Sequence, residues 1–463
     1  MKYIAFLLLA VVTNAFQVNL EVTDNLPQLC FSSEDVVPRY VNAICHHHNK
    51  TYLGGFFNRI GDESAQHFAV LNEDDTIDYL GTIGMVTSLE NVLASSSDVS
   101  AGIGSNSSFL GIVTSLACPE NSEYIYLGGV FSTITDHAGE EQILNNVARF
   151  NTETREFSPI KSNQPLPNND HIGFKQFCDE RDNSDEYDEC DDANQVTMIR
   201  SIQCVGVNGT CEFMHVGGYF DTVLGVNNTL GIALLDLSDY DNPKVTKIGR
   251  GKESTEGVNG LVMTIASVSP TEIVFGGIYE DPVDSDVPYL INRWTKGKGM
   301  RCVVNRLMRD QSACQVDSPP LLCCELIFGP VYSSLRISKT DLLIGGEFVN
   351  TFDFTPRADT SADITQWFQP GYQNVAIVSA TEEDEGKDSS FGDGGSLVGG
   401  PDGDVRAITC SRWLPDSDED RCETVYIAGS FNSWLNFRLV QGTLVKFLRP
   451  SAFNDINVLT SAR

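Results

Sequence analysis

Short apolar runs rich in Val, Ile and aromatic residues recur along the chain, each broken by Gly, Asn, Asp or Ser before it is long enough for a helix. Six of these runs close on Gly-Gly or Ala-Gly, and an aromatic follows two residues after the pair. They read YLGGFF from Tyr52, YLGGVF from Tyr126, HVGGYF from His215, VFGGIY from Val274, LIGGEF from Leu343 and YIAGSF from Tyr426. Upstream lies another apolar or alternating run: VNAIC ending at Cys45, IVTSLAC at Cys118, VTMIRSIQC at Cys204, LVMTIASV at Val268 and VRAITC at Cys410. Downstream come FAVLN from Phe68, NVARFN from Asn146, GIALLDL from Gly231, YLINRW from Tyr289, NVAIVS from Asn374 and TLVKFL from Thr443. Several copies add a fourth run, as in IDYLG from Ile77, FSPI from Phe157 and VTKIG from Val245. Four β-rich runs divided by turn-rich sequence predict an antiparallel four-stranded sheet.

One such sheet cannot bury both of its faces, whereas several stacked around an axis can. The expected fold is all-β: a six-bladed β-propeller of four-stranded antiparallel blades, with a seventh, degenerate blade as the alternative. The Gly pair then marks a close backbone approach or a bulge, and the aromatic beyond it packs between neighbouring sheets. The pairs recur at intervals of 59 to 89 residues, more than the roughly 40–50 that a bare blade requires. The surplus falls to loops at 94–108, at the acidic insertion 175–192, and at 353–372 and 380–404.

The repeats resemble Kelch-type repeats in their apolar-Gly-Gly core, without the regular downstream Tyr and Trp of that class. They are more similar to the extracellular propeller repeats of fungal cortical polarity-marker proteins and to bacterial delta-sixty repeats. YLGGVF at Tyr126 followed by NNVARFN at Asn145 carries the likeness best, and GGPDGDVRAITC from Gly399 has the character of an inter-blade segment of that class. The resemblance implies a propeller outside the cell and brings no catalytic residue with it. The polarity markers are membrane-anchored, and no anchor is expected here.

The remaining features agree with export. MKYIAFLLLAVVTNA, residues 1–15, reads as a signal peptide, with Lys2 supplying charge and an apolar stretch too short to span a bilayer. Residues 16–463 would then form one propeller domain. No later segment reaches 18 apolar residues, so no transmembrane anchor is expected. Four N-x-S/T sequons, Asn49, Asn106, Asn208 and Asn227, fall in expected loops as candidate glycosylation sites. The net charge of −32 disfavours nucleic acid and anionic membranes as partners, and leaves a protein or polysaccharide outside the cell.

Thirteen cysteines in an exported chain argue for disulfides. Cys204 with Cys211, and Cys410 with Cys422, flank hairpin loops at the same place in the frame and read as staples. Cys178 and Cys190 would close the acidic insertion. Cys302, Cys314, Cys323 and Cys324 form a cluster whose pairing stays open. Among Cys30, Cys45 and Cys118, the expected pair is Cys30–Cys45.

The segment CDERDNSDEYDECDD supplies the candidate metal ligands Asp182, Asp185, Glu186 and Asp188, with calcium as the ion and a solvated acidic loop as the competing reading. Its spacing does not match an EF-hand. His46, His47 and His48 read as a surface loop. Arg293, Lys296, Lys298, Arg301, Arg306 and Arg309 form a basic stretch, read as neutralising the chain's own acidic loops. No nucleophile elbow, zinc-protease motif or phosphate loop is present, so no catalytic residue or cofactor is expected. The expected function is a binding module for protein or glycan. The alternatives are a hydrolase or oxidase with an axial site, and a structural component of a wall or matrix.

Overall fold

The computed structural model describes residues 40–57, 59–60, 63–64, 67–72, 76–78, 82–85, 109–135, 141–163, 172–175, 197–249, 257–279, 291–303, 327–338, 340–351, 370–380, 403–414, 421–430, 433–434, 437–438, 444–448 and 456–459. The chain forms two compact units, one around Leu20–Ile248 and the other around Val258–Arg463. Among the described residues there is no α-helix, and a single short 3-10 turn spans Val207–Gly209.

Among the described residues, the first unit holds three four-stranded antiparallel meanders in chain order, besides smaller pairings at their ends. Sheet 1 is Tyr40–His47, Lys50–Phe56, Phe68–Leu71 and Ile77–Asp78. Sheet 2 is Ile112–Ala117, Tyr124–Val130, Val147–Asn151 and Phe157–Pro159, and sheet 3 is Met198–Val205, Phe213–Tyr219, Ile232–Asp236 and Lys244–Lys247. The second unit follows the same plan. Sheet 4 is Gly260–Ser269, Glu272–Tyr279, Asn292–Thr295 and Gly299–Cys302. Sheet 5 has Val331–Arg336, Asp341–Thr351 and Pro370–Ser379, and sheet 6 has Asp404–Leu414, Arg421–Ser430, Leu444–Leu448 and Ile456–Leu459. The first strand of sheet 5 escapes the sequence pattern because VYSSLR carries little apolar periodicity.

Consecutive sheets within a unit pack face to face, which explains why the second strands are apolar throughout rather than alternating. Leu127 joins the core shared with sheet 1, and Tyr126 joins the core shared with sheet 3. Leu342 and Ile344 face the core with sheet 4, and Leu343 that with sheet 6. Each such wholly buried aliphatic side chain contributes roughly 1.5–3 kcal/mol.

The two glycines of each pair serve different contacts. The first lies against the next sheet: a Cβ on Gly128 would stand 2.6 Å from Ile199, and one on Gly276 would stand 2.7 Å from Val331. Gly54 faces Val113 and Gly345 faces Val405 in the same way. The second glycine lies over its own first strand, where a Cβ on Gly129, Gly218, Gly277 or Gly346 would strike a carbonyl oxygen. At that point the first strand bulges, so two of its residues oppose one on the partner.

The Asn of the N-x-A frame has an equally local cause. Asn146 and Asn374 take left-handed conformations with φ of 70° and 66°, which Asn tolerates better than most residues. Each accepts a hydrogen bond at its side-chain oxygen from the backbone N–H of the repeat aromatic, Phe131 at 3.0 Å and Phe348 at 2.9 Å. In sheets 1 and 3 the same backbone position is filled by His67 and Gly231, with φ of 64° and 67°. The backbone pair is retained there: Gly55 N–H donates to His67 at 2.9 Å and Gly218 N–H to Gly231 at 2.9 Å.

The two ends of each sheet differ. Turns between strands one and two, and three and four, share one end. Connections between strands two and three, and exits to the next sheet, share the other. That second end carries two-stranded ribbons: Arg59–Ile60 with Glu63–Ser64, Thr133–Thr135 with Glu141–Ile143, Thr222–Val223 with Val226–Asn227, and Ser433–Trp434 with Phe437–Arg438. The chain leaving a sheet pairs with the following sheet at this end. Thr82–Met85 adds to the ribbon of sheet 2, Phe174–Lys175 to that of sheet 3, and Ile327–Phe328 to Val349–Asn350 of sheet 5.

The expected histidine loop is instead the end of a strand. His46 and His47 complete the first strand of sheet 1, and His47 pairs with Lys50 across the two-residue turn His48–Asn49, with φ of 46° and 63°. His47 is packed inside at 3% exposure, against the backbone of Pro119 and Ser122, while His48 in the turn itself is exposed.

Candidate functional site

The bulge opposite each Gly pair pushes one extra residue out of the ladder. These residues are Asn42, Thr114, Arg200, Met263, Tyr332 and Arg406. All are partly or fully exposed. The preceding Val113, Ile199, Val262, Val331 and Val405 are at most 1% exposed. A bulge re-aims a side chain without disturbing the packing on either side of it, so each sheet presents one residue that is free of core duty. All six lie towards the ribbon end.

The strands bearing these residues are fastened to one another. Asn42 donates to the Val113 carbonyl at 3.2 Å, and Thr114 donates to the Ile199 carbonyl. The Ile202 N–H donates to Ser115 Oγ at 2.9 Å, and the Ile408 N–H donates to Ser333 Oγ at 3.1 Å, the same stitch in both units.

The richest chemistry lies in sheets 5 and 6. The Arg406 guanidinium stands 4.2 Å over the Tyr332 ring and is ion-paired with Asp404. The Tyr332 hydroxyl donates to Glu347 Oε2 at 3.1 Å. Partial burial raises the Tyr332 phenol above its usual pKa, with Arg406 opposing the rise and Glu347 adding to it. The phenol therefore remains a donor at neutral pH. Glu347, the residue between the Gly pair and Phe348, is exposed. Sheets 3 and 4 carry Tyr219 and Ile278 at that position, each 40% exposed.

No family model and no curated protein matches the chain. Among solved structures, it is similar to the extracellular domain of a putative one-component system from B. thetaiotaomicron, at 11% identity and a TM-score of 0.32, covering 94% of this chain and 42% of that one. It is similar to the extracellular domain of a putative hybrid two-component system from the same organism, at 11% identity and a TM-score of 0.32, covering 92% and 46%. A GH74 enzyme from Niastella koreensis is similar at 8% identity and a TM-score of 0.27, covering 90% and 56%. The chain spans less than half the length of the first two, and none of the three fixes its ligand or activity.

Among the described residues, three disulfides lie at the end opposite the bulges. Cys204–Cys211 and Cys410–Cys422 are disulfides across the turns between strands one and two, with Cα–Cα distances of 4.9 and 5.8 Å. Cys45 is bonded to Cys118, at a Cα–Cα distance of 6.1 Å, and not to Cys30. Packing of sheet 1 on sheet 2 brings the ends of their first strands together, a proximity invisible in chain order. Cys302 is also disulfide-bonded. Asn49 is exposed at its hairpin turn, and Asn208 lies in the 3-10 turn that Cys204–Cys211 closes. Asn227 is exposed on a ribbon strand at the other end rather than in a loop.

Residues 1–15, Cys30, Asn106, Cys178, Cys190 and the candidate calcium ligands Asp182, Asp185, Glu186 and Asp188 lie outside the described residues. No group of three or more His, Cys, Asp or Glu suited to a metal occurs among the described residues. Of the basic stretch, read as neutralising acidic loops, Arg306 and Arg309 lie outside the described residues, and the arginine at its start is paired with a strand carboxylate rather than a loop one. Arg293 is wholly buried, 3.4 Å from Glu272, and donates to the Ser379 carbonyl at 2.6 Å, while Lys296 and Lys298 are exposed on a turn.

The bulge residues share no chemistry, so no single-residue search finds them. Their signal is the flanking triplet of a β-branched residue, a free position and a small residue: VNA, VTS, IRS, VMT, VYS and VRA at the six first strands.

Proposed function

We propose that the protein is a secreted, glycosylated and disulfide-stapled six-bladed β-propeller that binds a protein or polysaccharide outside the cell. It would be akin to the Kelch-like and polarity-marker-like repeats that its sequence resembles. The observation that carries this reading is the bulge repeated at all six first strands, which holds one variable side chain beside a β-branched residue that is buried in five of them. A scaffold that separates packing from presentation suits recognition. The disulfides support an oxidising compartment. The exposure of Asn49 and Asn227 and the turn position of Asn208 support glycosylation.

The test is affinity capture with the tagged full chain from the medium of cells that secrete it, with and without enzymatic deglycosylation. The expected result is a secreted chain whose mass falls on deglycosylation and which retains a reproducible partner or polysaccharide. A chain that stays inside the cell, carries no glycan and retains nothing would overturn the proposal.

A further inference from the structure

We infer that Tyr332, Glu347, Asp404 and Arg406 form a subsite for the hydroxyl groups of an uncharged polysaccharide, an inference that rests on the binding-module reading above. The four side chains come from three strands of two sheets at the bulge end. Their backbones are fixed by the Ile408–Ser333 hydrogen bond and by Gly345 against Val405. They set two donors between two acceptors: the Asp404 carboxylate pairs with the Arg406 guanidinium, which lies over the Tyr332 ring, and the Tyr332 hydroxyl donates to the Glu347 carboxylate. Vicinal sugar hydroxyls both donate and accept at neighbouring atoms, so they fit a cluster that offers both, and hydrogen bonds to ionised partners are the stronger kind.

The charge balance selects among ligands. One guanidinium faces two carboxylates, so the cluster is net negative within a chain of net charge −32. Acidic glycans, phosphates and nucleic acid are repelled. A protein interface would centre on a dry apolar core, whereas these four groups, of which Glu347 and Arg406 are exposed and Tyr332 and Asp404 partly so, are charged or hydroxyl-bearing. The Tyr332 face is covered by Arg406, so sugar would be held by its hydroxyls rather than stacked on the ring.

The experiment uses the secreted full chain. Retention is measured on insoluble β-glucan, chitin and starch, and affinity for soluble oligosaccharides of the retained class is measured by calorimetry. The expected result is saturable retention on at least one of these, weakened at least tenfold in both Glu347→Gln and Arg406→Ala and less in Tyr332→Phe. Unchanged tryptophan emission and melting temperature would show that the variants fold. Retention unaltered by E347Q and R406A would overturn this subsite while leaving the binding-module reading intact. Retention on none of the three, with a protein captured from the medium instead, would overturn the ligand class. Capture of nothing at all would overturn both readings.

Discussion

The seam between sheets 2 and 3 and the seam between sheets 4 and 5 each receive an arginine from the same place in the repeat. Arg149 stands opposite Tyr126 and Arg293 opposite Val274, both in the third strand. The outcomes differ. Arg149 keeps partial exposure, lies 5.1 Å over Tyr124 and 5.7 Å over Tyr240, and donates to Ser158 Oγ at 2.8 Å. Arg293 is wholly buried and is held by Glu272 and the Ser379 carbonyl. Asp341, the ladder partner of Ser379, is also wholly buried and accepts hydrogen bonds from Ser338 at 2.7 Å and Thr340 at 2.8 Å. One repeat position thus serves as a surface clamp in one unit and as a buried charged joint in the other. What decides between them is the residue across the ladder. Tyr126 fills the seam and leaves the guanidinium outside, whereas the smaller Val274 leaves room for it within.

Replacing Arg293 by Ala should have the largest effect. Removing one member of a buried charged set leaves the others uncompensated, at a cost of about 3–5 kcal/mol. The readout is specific, because all four tryptophans, Trp294, Trp367, Trp413 and Trp434, belong to the second unit. Urea unfolding followed by tryptophan emission should shift strongly in Arg293→Ala. A shift worth under about 1 kcal/mol would mean that the joint is not a charged one in energetic terms.

The two arginines also mark the limits of what the sequence discloses. The Gly pairs, the apolar runs and the N-x-A frame announce the sheets because they recur in a fixed order along the chain, although the first glycine of each pair and the apolar runs serve contacts with the neighbouring sheet. Arg293 reads in sequence only as part of a basic stretch that neutralises acidic loops, because its burial depends on Val274 and Ser379, which lie elsewhere along the chain. Cys45–Cys118 fails for the same reason, since only the stacking of two sheets makes those residues neighbours. The bulge residues lie between: their VxS-type triplet is visible, but its meaning depends on the glycine opposite.

The units should also part company on acidification. All seven histidines lie between positions 46 and 215, within the first unit. Burial lowers His67 to about 4, the Gly55 backbone offsetting this only in part. Burial, together with the neighbouring His48, lowers His47 to about 4, and burial lowers His215 to about 3. A folded-state pKa below the unfolded value means that unfolding takes up protons. Stability is therefore full above about pH 6.5 and falls as the pH drops towards the folded value. For His67 alone the loss is about 2 kcal/mol at pH 5. Calorimetry at pH 7 and pH 5 should show a transition that moves down with acid, while the transition seen by tryptophan emission moves much less. His67→Asn supplies the residue that Asn146 and Asn374 provide at this left-handed position, and it should recover part of the acid loss. Equal acid shifts in both transitions, unaffected by H67N, would refute the assignment.

The smallest effect should come from Arg149→Ala. Its ion sits partly in water, so no buried charge is stranded when it is removed. What is lost is the contact with two tyrosine faces and one hydrogen bond to Ser158, and exposed cation–π contacts contribute about 0.5–1 kcal/mol. Tyr124 and Tyr240 remain 5.8 Å apart and can close part of the gap, so the net cost should be about 1 kcal/mol or less. The calorimetric transition of the first unit, taken at pH 7 where His47, His67 and His215 are neutral, reads this directly. A cost for Arg149→Ala as large as that for Arg293→Ala would mean that the ladder partner does not set the role of this position, and that both seams depend on their guanidinium in the same way.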